Sequence, residues 1–400
     1  MTPRPPLPPG PYLVVGLARS GMAAARMLEP HGEVIGVDSG EPSLDADFET
    51  HIGVDGVELL DRAGTVVKSP GVPREAPVVA EALRRGIEVT GELELAWRLL
   101  PNPFVAVTGT NGKTTTVELL GAIWREAGLP VAVAGNVGTP LASLVGEVQP
   151  EATVIAEASS FQLEDASAFA PECAVLLNVE ADHLDRHGDL ERYREAKMRL
   201  FTHGPAHTVM PDDLDEDPFD LGDLRLRGAH NRRNARAAAR AADAMGVPRD
   251  AVRSALGAFA GVPHRLEEVA VKDGVLYVND SKATNVASAV RGIEAFDGGV
   301  HAILGGSLKG GGFEGLRDAL GARAKAAYLI GEAEDRLAAD LEGTVPLVRS
   351  ATLEQAVADA RAASEPGDVV LLSPACASFD AFRDYEDRGD RFRALVPGPE

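Results

Sequence analysis

The sequence predicts an α/β protein of three doubly wound domains, and three observations predict it. Short apolar runs alternate with Ala-, Leu- and Arg-rich stretches of helical period along almost the whole chain, the pattern of parallel strands covered by helices. The 400 residues are too many for one ordinary core. Two Pro/Gly breaks divide the alternation into three stretches.

Taken in order, Tyr12–Gly16, Phe104–Gly109, Thr153–Ser159 and Ala174–Val179 read as buried strands, because their apolar positions run together instead of alternating. Residues 20–29, 114–127 and 189–201 carry the helical period. A helix over 92–100 stops before Pro101-Asn102-Pro103, and a helical pair at 230–245 and 249–259 stops at Gly261-Val262-Pro263. The expected domains are therefore 1–100, 101–261 and 262–400. The acidic stretch Pro211–Asp223 reads as a surface loop or a shortened remnant of structure.

Composition narrows the function. A formal net charge of −22 repels phosphate backbones, so no nucleic-acid partner is expected, and anionic substrates would need local basic groups or metal ions. No run approaches the ~18–20 apolar residues of a membrane span, so no membrane insertion is expected. The Pro-rich start, MTPRPPLPPG, lacks the apolar core and cleavage site of a signal peptide. Cys173 and Cys376 are the only cysteines, so no disulfide framework is implied and a reducing cytoplasm fits.

The strongest local signal is Val107-Thr-Gly-Thr-Asn-Gly-Lys-Thr-Thr115, between a strand and a helix. Glycines there let backbone N–H groups approach phosphate oxygens, and the helix N-terminus adds a positive dipole end. Lys113 would neutralise the β- and γ-phosphates, and the Thr114 hydroxyl would ligate Mg²⁺. The strict G-x-x-x-x-G-K-[ST] pattern is not met, because Val107 occupies the first glycine position and Gly109 supplies the earlier flexible point. The central domain is thus expected to be P-loop ATPase-like. Kinases, hydrolases and ligases share such loops, so the loop alone names no reaction. In the first stretch, Gly16-Leu-Ala-Arg-Ser-Gly21 joins a strand to a helix, and Asp38 closes the second strand. That is Rossmann-like, but Ala18 replaces the middle glycine of a dinucleotide fingerprint, and the glycine pair alone equally suits close helix–strand packing.

The string Thr108-Gly-Thr-Asn-Gly-Lys-Thr-Thr115 resembles the Mur ligase version of the phosphate loop. Further strings match the glutamate-adding branch of that family in order: Ala134–Gly138, Glu157–Glu164, Asn178–Asp185, Ala229–Asn234, Pro263–Arg265, Asn279–Asn285 and Leu372–Asp380. The match runs from Val15 to Phe392. The resemblance implies Rossmann-like N- and C-terminal domains flanking the ATP-binding one. It also implies ATP-dependent ligation of D-glutamate to UDP-N-acetylmuramoyl-L-alanine through an acyl phosphate, giving ADP and phosphate. Such a protein would act in the cytoplasm, as a monomer, in peptidoglycan precursor synthesis and hence in cell-wall biogenesis, cell shape and division.

By resemblance, Gly109, Thr110, Asn111, Gly112, Lys113, Thr114, Thr115 and Thr116 bind ATP, with Asn231 and Asn234 at adenine and ribose. Helix N-capping is the other reading of Asn231. Arg265 and Asp280, from the third domain, would reach nucleotide phosphate and ribose. Two Mg²⁺ sites are implied: Glu157 beside Thr114, and His183 with Lys197 carbamylated by CO₂. Chemistry alone suits His183 equally to hydrogen bonding, because histidine is an unusual ligand for a hard cation. Spacing alone suits Lys197 to a surface pair with Glu191 or Glu195. His187 carries no family match and reads as surface. Lys113, His183, Lys197 and Lys282 are the catalytic candidates. Leu17, Ala18, Ser39, Ser69 and Asn136 would contact the UDP-linked substrate, and Thr284, Lys309, Ser378, Phe379 and Tyr385 the glutamate. Lys309, among the glycines of 305–312, also suits a flexible loop. Phe379 and Tyr385 replace an expected leucine and phenylalanine, keeping apolar bulk.

The pattern departs in one place. Only 32 residues lie between Lys197 and His230, where the family carries a longer segment with extra strands. No motif residue falls there, so the catalytic set is expected to survive. Competing readings are an L-glutamate-adding variant, a folylpolyglutamate-synthase-like amino-acid ligase, an NAD-dependent oxidoreductase built on Gly16–Gly21, and a non-catalytic nucleotide-binding regulator. The ATP loop opposes the oxidoreductase, and joint retention of Lys113, Glu157, His183 and Lys197 opposes the regulator.

Overall fold

The computed structural model of the protein describes residues 4–42, 46–216, 219, 224, 228–259, 261–308 and 311–396. Its fold is three-domain α/β, built on three sheets. The first contains β1 (Tyr12–Val15), β2 (Val34–Asp38), β3 (Glu49–Ile52), β4 (Thr65–Lys68) and β5 (Glu88–Gly91), in the order β3-β2-β1-β4-β5. The second contains β6 (Phe104–Thr108), β7 (Val131–Gly135), β8 (Thr153–Glu157), β9 (Cys173–Leu176) and β10 (His207–Val209), in the order β10-β9-β6-β8-β7. All described pairings in both are parallel. The third contains β11 (Glu267–Lys272), β12 (Val275–Asn279), β13 (Val300–Gly305), β14 (Ala324–Ile330), β15 (Leu347–Ala351) and β16 (Val369–Leu372), in the order β11-β12-β16-β13-β14-β15. It is mixed, because β11 runs antiparallel to β12.

Position in the sheet explains the sequence pattern. Strands β1, β6, β9, β13 and β16 are buried at every residue, since helices cover both faces, and they read as mainly apolar runs, with His301 in β13 and Thr108 at the end of β6 as buried polar exceptions. The edge strands β3, β11 and β15 are largely exposed or half-buried, and they mix polar with apolar residues.

The chain forms two compact units, residues 1–222 with 233–257, and 223–232 with 258–400. The first unit contains the first two sheets, which share one apolar core. Trp97 and Phe104 both meet Phe169 edge-on, at centroid separations of 5.7 and 6.0 Å. The Arg4 guanidinium lies over Trp97 and Phe104 and donates to the Trp97 and Asn102 carbonyls. In the second unit, successive residues of the central strands enter different apolar clusters, with Val278, Leu304 and Leu371 on one face and Tyr277, Ile303 and Val370 on the other.

The segment Pro211–Asp223 is partly outside the described residues; what is described is a remnant of structure and not a bare surface loop. Pro211–Leu214 forms a 3-10 turn, Leu214 and Phe219 are buried, and Arg236 of helix Ala229–Ala244 donates to the Leu214 carbonyl at 2.9 Å. Among the described residues, no helix is long and apolar enough to cross a membrane.

Candidate active site

The phosphate loop leaves β6 at Thr108 and enters the helix Lys113–Glu126. Gly109 and Gly112 both have positive φ, +155° and +87°. A Cβ on Gly112 would fall 2.2 Å from Asn234 Oδ1, so only glycine leaves room for that side chain. The loop is braced by Asn178, which follows β9. Its Oδ1 accepts from Asn111 N at 2.9 Å, its Nδ2 donates to the Asn111 carbonyl at 3.1 Å, and its own carbonyl accepts from Thr110 N at 3.0 Å. Thr116 Oγ1 donates to the Gly112 carbonyl at 3.0 Å, and Thr115 is buried beside it.

Glu157, the last residue of β8, organises the mouth of the loop. Its Oε2 accepts from Thr114 Oγ1 at 2.8 Å and its Oε1 from Asn136 Nδ2 at 3.2 Å. Lys113 and Lys197 both donate to the Gly109 carbonyl, each at 2.9 Å, and Lys113 also donates to the Thr110 carbonyl at 3.0 Å. Lys197 is 1% exposed, and its ammonium lies 4.3 Å from the Tyr193 ring centre. Burial, and next the Lys113 charge, depress its pKa to about 6. The surface pairing that spacing allowed for Lys197 is therefore not adopted. The helix Leu190–Met198 points this residue inward, toward the phosphate loop.

His183 starts the one-turn helix Leu184–His187 with φ +52°, and its ring lies 4.9 Å from Phe161 and 6.3 Å from Tyr193. The expectation that His187 is a surface residue is wrong. It is 8% exposed, stacks on Phe161 at 5.4 Å and shares a 3.0 Å hydrogen bond with Ser160 Oγ. Tyr193, also absent from the sequence-based site, links the His183 and Lys197 side chains.

A cavity of about 410 Å³ opens at the carboxyl ends of β1, β2 and β4, lined by Gly16, Ala18, Ser39, Ser69, Gly71 and Asn136 among others. Ser69 Oγ donates to the Gly16 carbonyl at 2.6 Å. Leu17 points its side chain into the core, while its N–H donates to Asp38 Oδ2 at 2.7 Å. Asn136 thus belongs both to this cavity and to the Glu157 cluster. Asn231 and Asn234 are both buried.

In the second unit, the remaining candidates gather at the carboxyl edge of the third sheet. Asp280 follows β12 and is buried, accepting from Ser373 Oγ at 2.7 Å and Leu266 N at 3.2 Å. Burial raises its pKa to about 7 against those hydrogen bonds and the nearby Arg265 charge. Lys282 lies 5.5 Å from the Tyr385 ring centre, and Thr284 N donates to the Lys282 carbonyl at 2.9 Å. Ser378 is buried, whereas Phe379 is 72% exposed. Lys309 lies outside the described residues. Sequence reasoning missed Arg388, which is fully buried and donates to the carbonyls of Ser281, Cys376 and Ala377 at 2.9 to 3.0 Å, drawing those two loops together. The available signal was its place four residues before buried Phe392, on the inward face of its helix.

Among the described residues, no group of three or more His, Cys, Asp or Glu side chains could hold a metal by itself. Thr114 and Glu157 offer hard oxygen donors from two side chains only. That suits Mg²⁺, which keeps several waters and takes further oxygens from phosphates.

The chain matches three family descriptions in succession: "Mur ligase MurD-like, N-terminal domain" over residues 11–91, "Mur ligase middle domain" over 107–219 and "Mur ligase, glutamate ligase domain" over 264–376. It is 40% identical to the UDP-N-acetylmuramoylalanine–D-glutamate ligase of Acidobacterium capsulatum, covering 96% of this chain and 95% of that one. It is 42% identical to the ligase of the same name from Nitratidesulfovibrio vulgaris, with the same coverage. These alignments, over 439 and 415 residues, are longer than this chain of 400, so the relatives carry residues that it lacks. Among solved structures, the UDP-N-acetylmuramate–alanine ligase of Thermotoga maritima is similar with a TM-score of 0.60 at 17% identity, covering 95% of this chain and 97% of that one. The MurF ligase of the same organism, solved with ADP, has a TM-score of 0.59 at 22% identity, covering 91% and 94%. At these identities the likeness establishes the fold.

Proposed function

The chain belongs to the Mur ligase family, and from that premise we propose that it joins D-glutamate to UDP-N-acetylmuramoyl-L-alanine with cleavage of ATP to ADP and phosphate. The observation that carries this reading is the hydrogen-bonded chain Thr114–Glu157–Asn136, which connects the phosphate loop to the wall of the 410 Å³ cavity. A nucleotide triphosphate on the loop and a nucleotide-linked acid in the cavity would meet at Glu157.

Residues 109–116 cradle the phosphates through backbone N–H groups and the helix N-terminus. Lys113 exchanges its loop carbonyls for phosphate oxygens. The substrate carboxylate attacks the γ-phosphorus, ADP leaves, and the acyl phosphate forms. The glutamate amine then attacks the acyl carbon, losing a proton, and phosphate departs. Mg²⁺ held by Thr114 and Glu157, with a second held by His183 and Lys197, would supply charge neutralisation for the phosphate and acyl oxygens. Lys197 is suited to carbamylation because its amine is neutral above pH about 6. A neutral amine adds CO₂ with loss of one proton, and the resulting anion would face the Lys113 cation. Arg265 and Asp280 serve the nucleotide, and Lys282, Thr284, Lys309, Ser378, Phe379 and Tyr385 the glutamate, from the domain over 262–400. Residues 1–100 take the UDP moiety at Leu17, Ala18, Ser39 and Ser69, residues 101–261 take ATP with Asn231 and Asn234, and the reaction is cytoplasmic.

The test is ATP- and Mg²⁺-dependent ADP release with UDP-N-acetylmuramoyl-L-alanine, comparing D- with L-glutamate and with a folate acceptor. Turnover with D-glutamate and none with the others is expected. Turnover with folate alone would assign a different ligase.

A further inference from the structure

The cavity and the His183 turn are tied together by charged side chains that the mechanism above leaves unused. Val72 closes the loop 69–72 on the cavity wall, packed so close to Gly16 that a Cβ there would lie 2.7 Å from Val72 Cγ2. The Val72 carbonyl accepts from two cations, Lys68 Nζ at 3.0 Å and Arg186 Nη2 at 2.8 Å. Arg186 Nη2 also donates to Glu164 Oε1 at 2.8 Å, while Lys68 Nζ lies 2.7 Å from Asp165 Oδ2 and 3.5 Å from Glu164 Oε1. These four side chains are nearly out of water, with exposures of 0% for Lys68, 1% for Asp165, 12% for Glu164 and 13% for Arg186.

Arg186 stands on the one-turn helix that begins at His183. The N–H groups of Arg186 and His187 close onto the His183 carbonyl at 3.1 and 3.0 Å. Its guanidinium lies 5.0 Å from the Phe161 ring centre, and the same ring faces His183 at 4.9 Å. His187 pins the other side of the turn to Ser160. The height of the Val72 loop over the cavity is therefore set from the His183 side.

We infer that Arg186, with Lys68 as its partner on the Val72 carbonyl, is a positioning residue that holds the cavity in register with the acyl-transfer site. A buried ion network is a poor source of net stability, because desolvation offsets most of its attraction. What it supplies is direction: two charged donors converging on one carbonyl fix a loop that apolar packing would leave free to slide. Register matters because the substrate is held at its nucleotide end and reacts at the other. The inference rests on the ligase reading above.

The experiment uses the full chain and follows ADP release with ATP, UDP-N-acetylmuramoyl-L-alanine and D-glutamate for the wild type, Arg186→Met, Arg186→Lys and Lys68→Met. Arg186→Met is expected to lower kcat about 30-fold and raise KM for the UDP substrate about fivefold, with KM for ATP held within about twofold. Arg186→Lys keeps a charged donor and is expected to recover kcat to within about fivefold of wild type. Lys68→Met should move the same two constants by about half as much on a logarithmic scale. A folded Arg186→Met variant with wild-type kcat and UDP-substrate KM overturns the inference. So does an equal rise in both KM values, or loss of the thermal unfolding transition in every variant, since either outcome marks a purely structural clamp. A wild type without turnover removes the ligase reading and this inference together.

Discussion

Lys113 and Lys197 share one acceptor, the Gly109 carbonyl, yet the proposed mechanism gives them opposite roles. Lys113 serves as a cation, so Lys113→Ala is expected to cut ligation by about 10³-fold, read as ADP release at saturating substrates. Lys197 serves only when its amine is neutral or carbamylated. Lys197→Ala should therefore be inactive and partly restored by short-chain carboxylic acids, which no substitution with a merely structural effect would allow. The neutral form predominates above the depressed pKa of about 6, so wild-type activity at fixed CO₂ should fall as pH drops through 6. A flat profile between pH 5 and 7 would sink this assignment. Most candidate site residues could be proposed from the sequence because each stands in a string with its own chemistry, such as Gly112-Lys113-Thr114 after a strand. His187, Tyr193 and Arg388 were not, because nothing local distinguishes a buried polar side chain with a distant partner from an exposed one.

At the scale of elements, Glu92 shows how the first two sheets are held. It heads the helix Glu92–Leu99, is 2% exposed, and its Oε1 accepts from Ala142 N at 2.6 Å, at the 3-10 helix that follows the Asn136 turn. Its Oε2 has no hydrogen-bond partner among the described residues, and burial lifts its pKa to about 7 despite the backbone donors. Between pH about 4.5 and 7 the folded chain keeps a proton that the unfolded chain has released, so this group makes stability fall as pH rises through that window. The shift corresponds to a loss on the order of 3 kcal/mol above pH 7. Glu92→Gln keeps the acceptor for Ala142 and removes the titration. Denaturant unfolding at pH 5 and 8 should give a smaller difference in the variant than in wild type; equal differences would remove Glu92 from the pH response. The elements themselves were largely readable. The run FVAVT became β6 with every residue buried, and the helical period over 114–127 became Lys113–Glu126.

For the molecule as a whole, the charge of −22 is a cost carried by the folded state. Screening should relieve it: raising NaCl from about 20 to about 300 mM is expected to raise the unfolding midpoint by roughly 2–4 °C. A midpoint that falls or stays constant would show that the ion pairs of the fold, such as Arg62 with Glu33 and Glu49, outweigh the repulsion. The missing length between Lys197 and His230 belongs to this scale too. The central sheet ends in the three-residue β10, and Arg233 and Arg236 of the following helix hold the short segment 211–215 by its Asp215 carboxylate and backbone carbonyls.

The sequence by itself determined the α/β alternation, the phosphate loop, the acidic surface and the ordered family strings. Each depends on residues adjacent in the chain, where a period or spacing is already a physical statement. Only the tertiary structure decided that Lys197 turns inward, where burial lowers its pKa, that Asn136 joins the cavity to Glu157, and that Arg186 and Lys68 meet on one carbonyl. These depend on burial and on partners up to 114 residues apart, and desolvation and hydrogen-bond geometry exist only once the chain has closed around them.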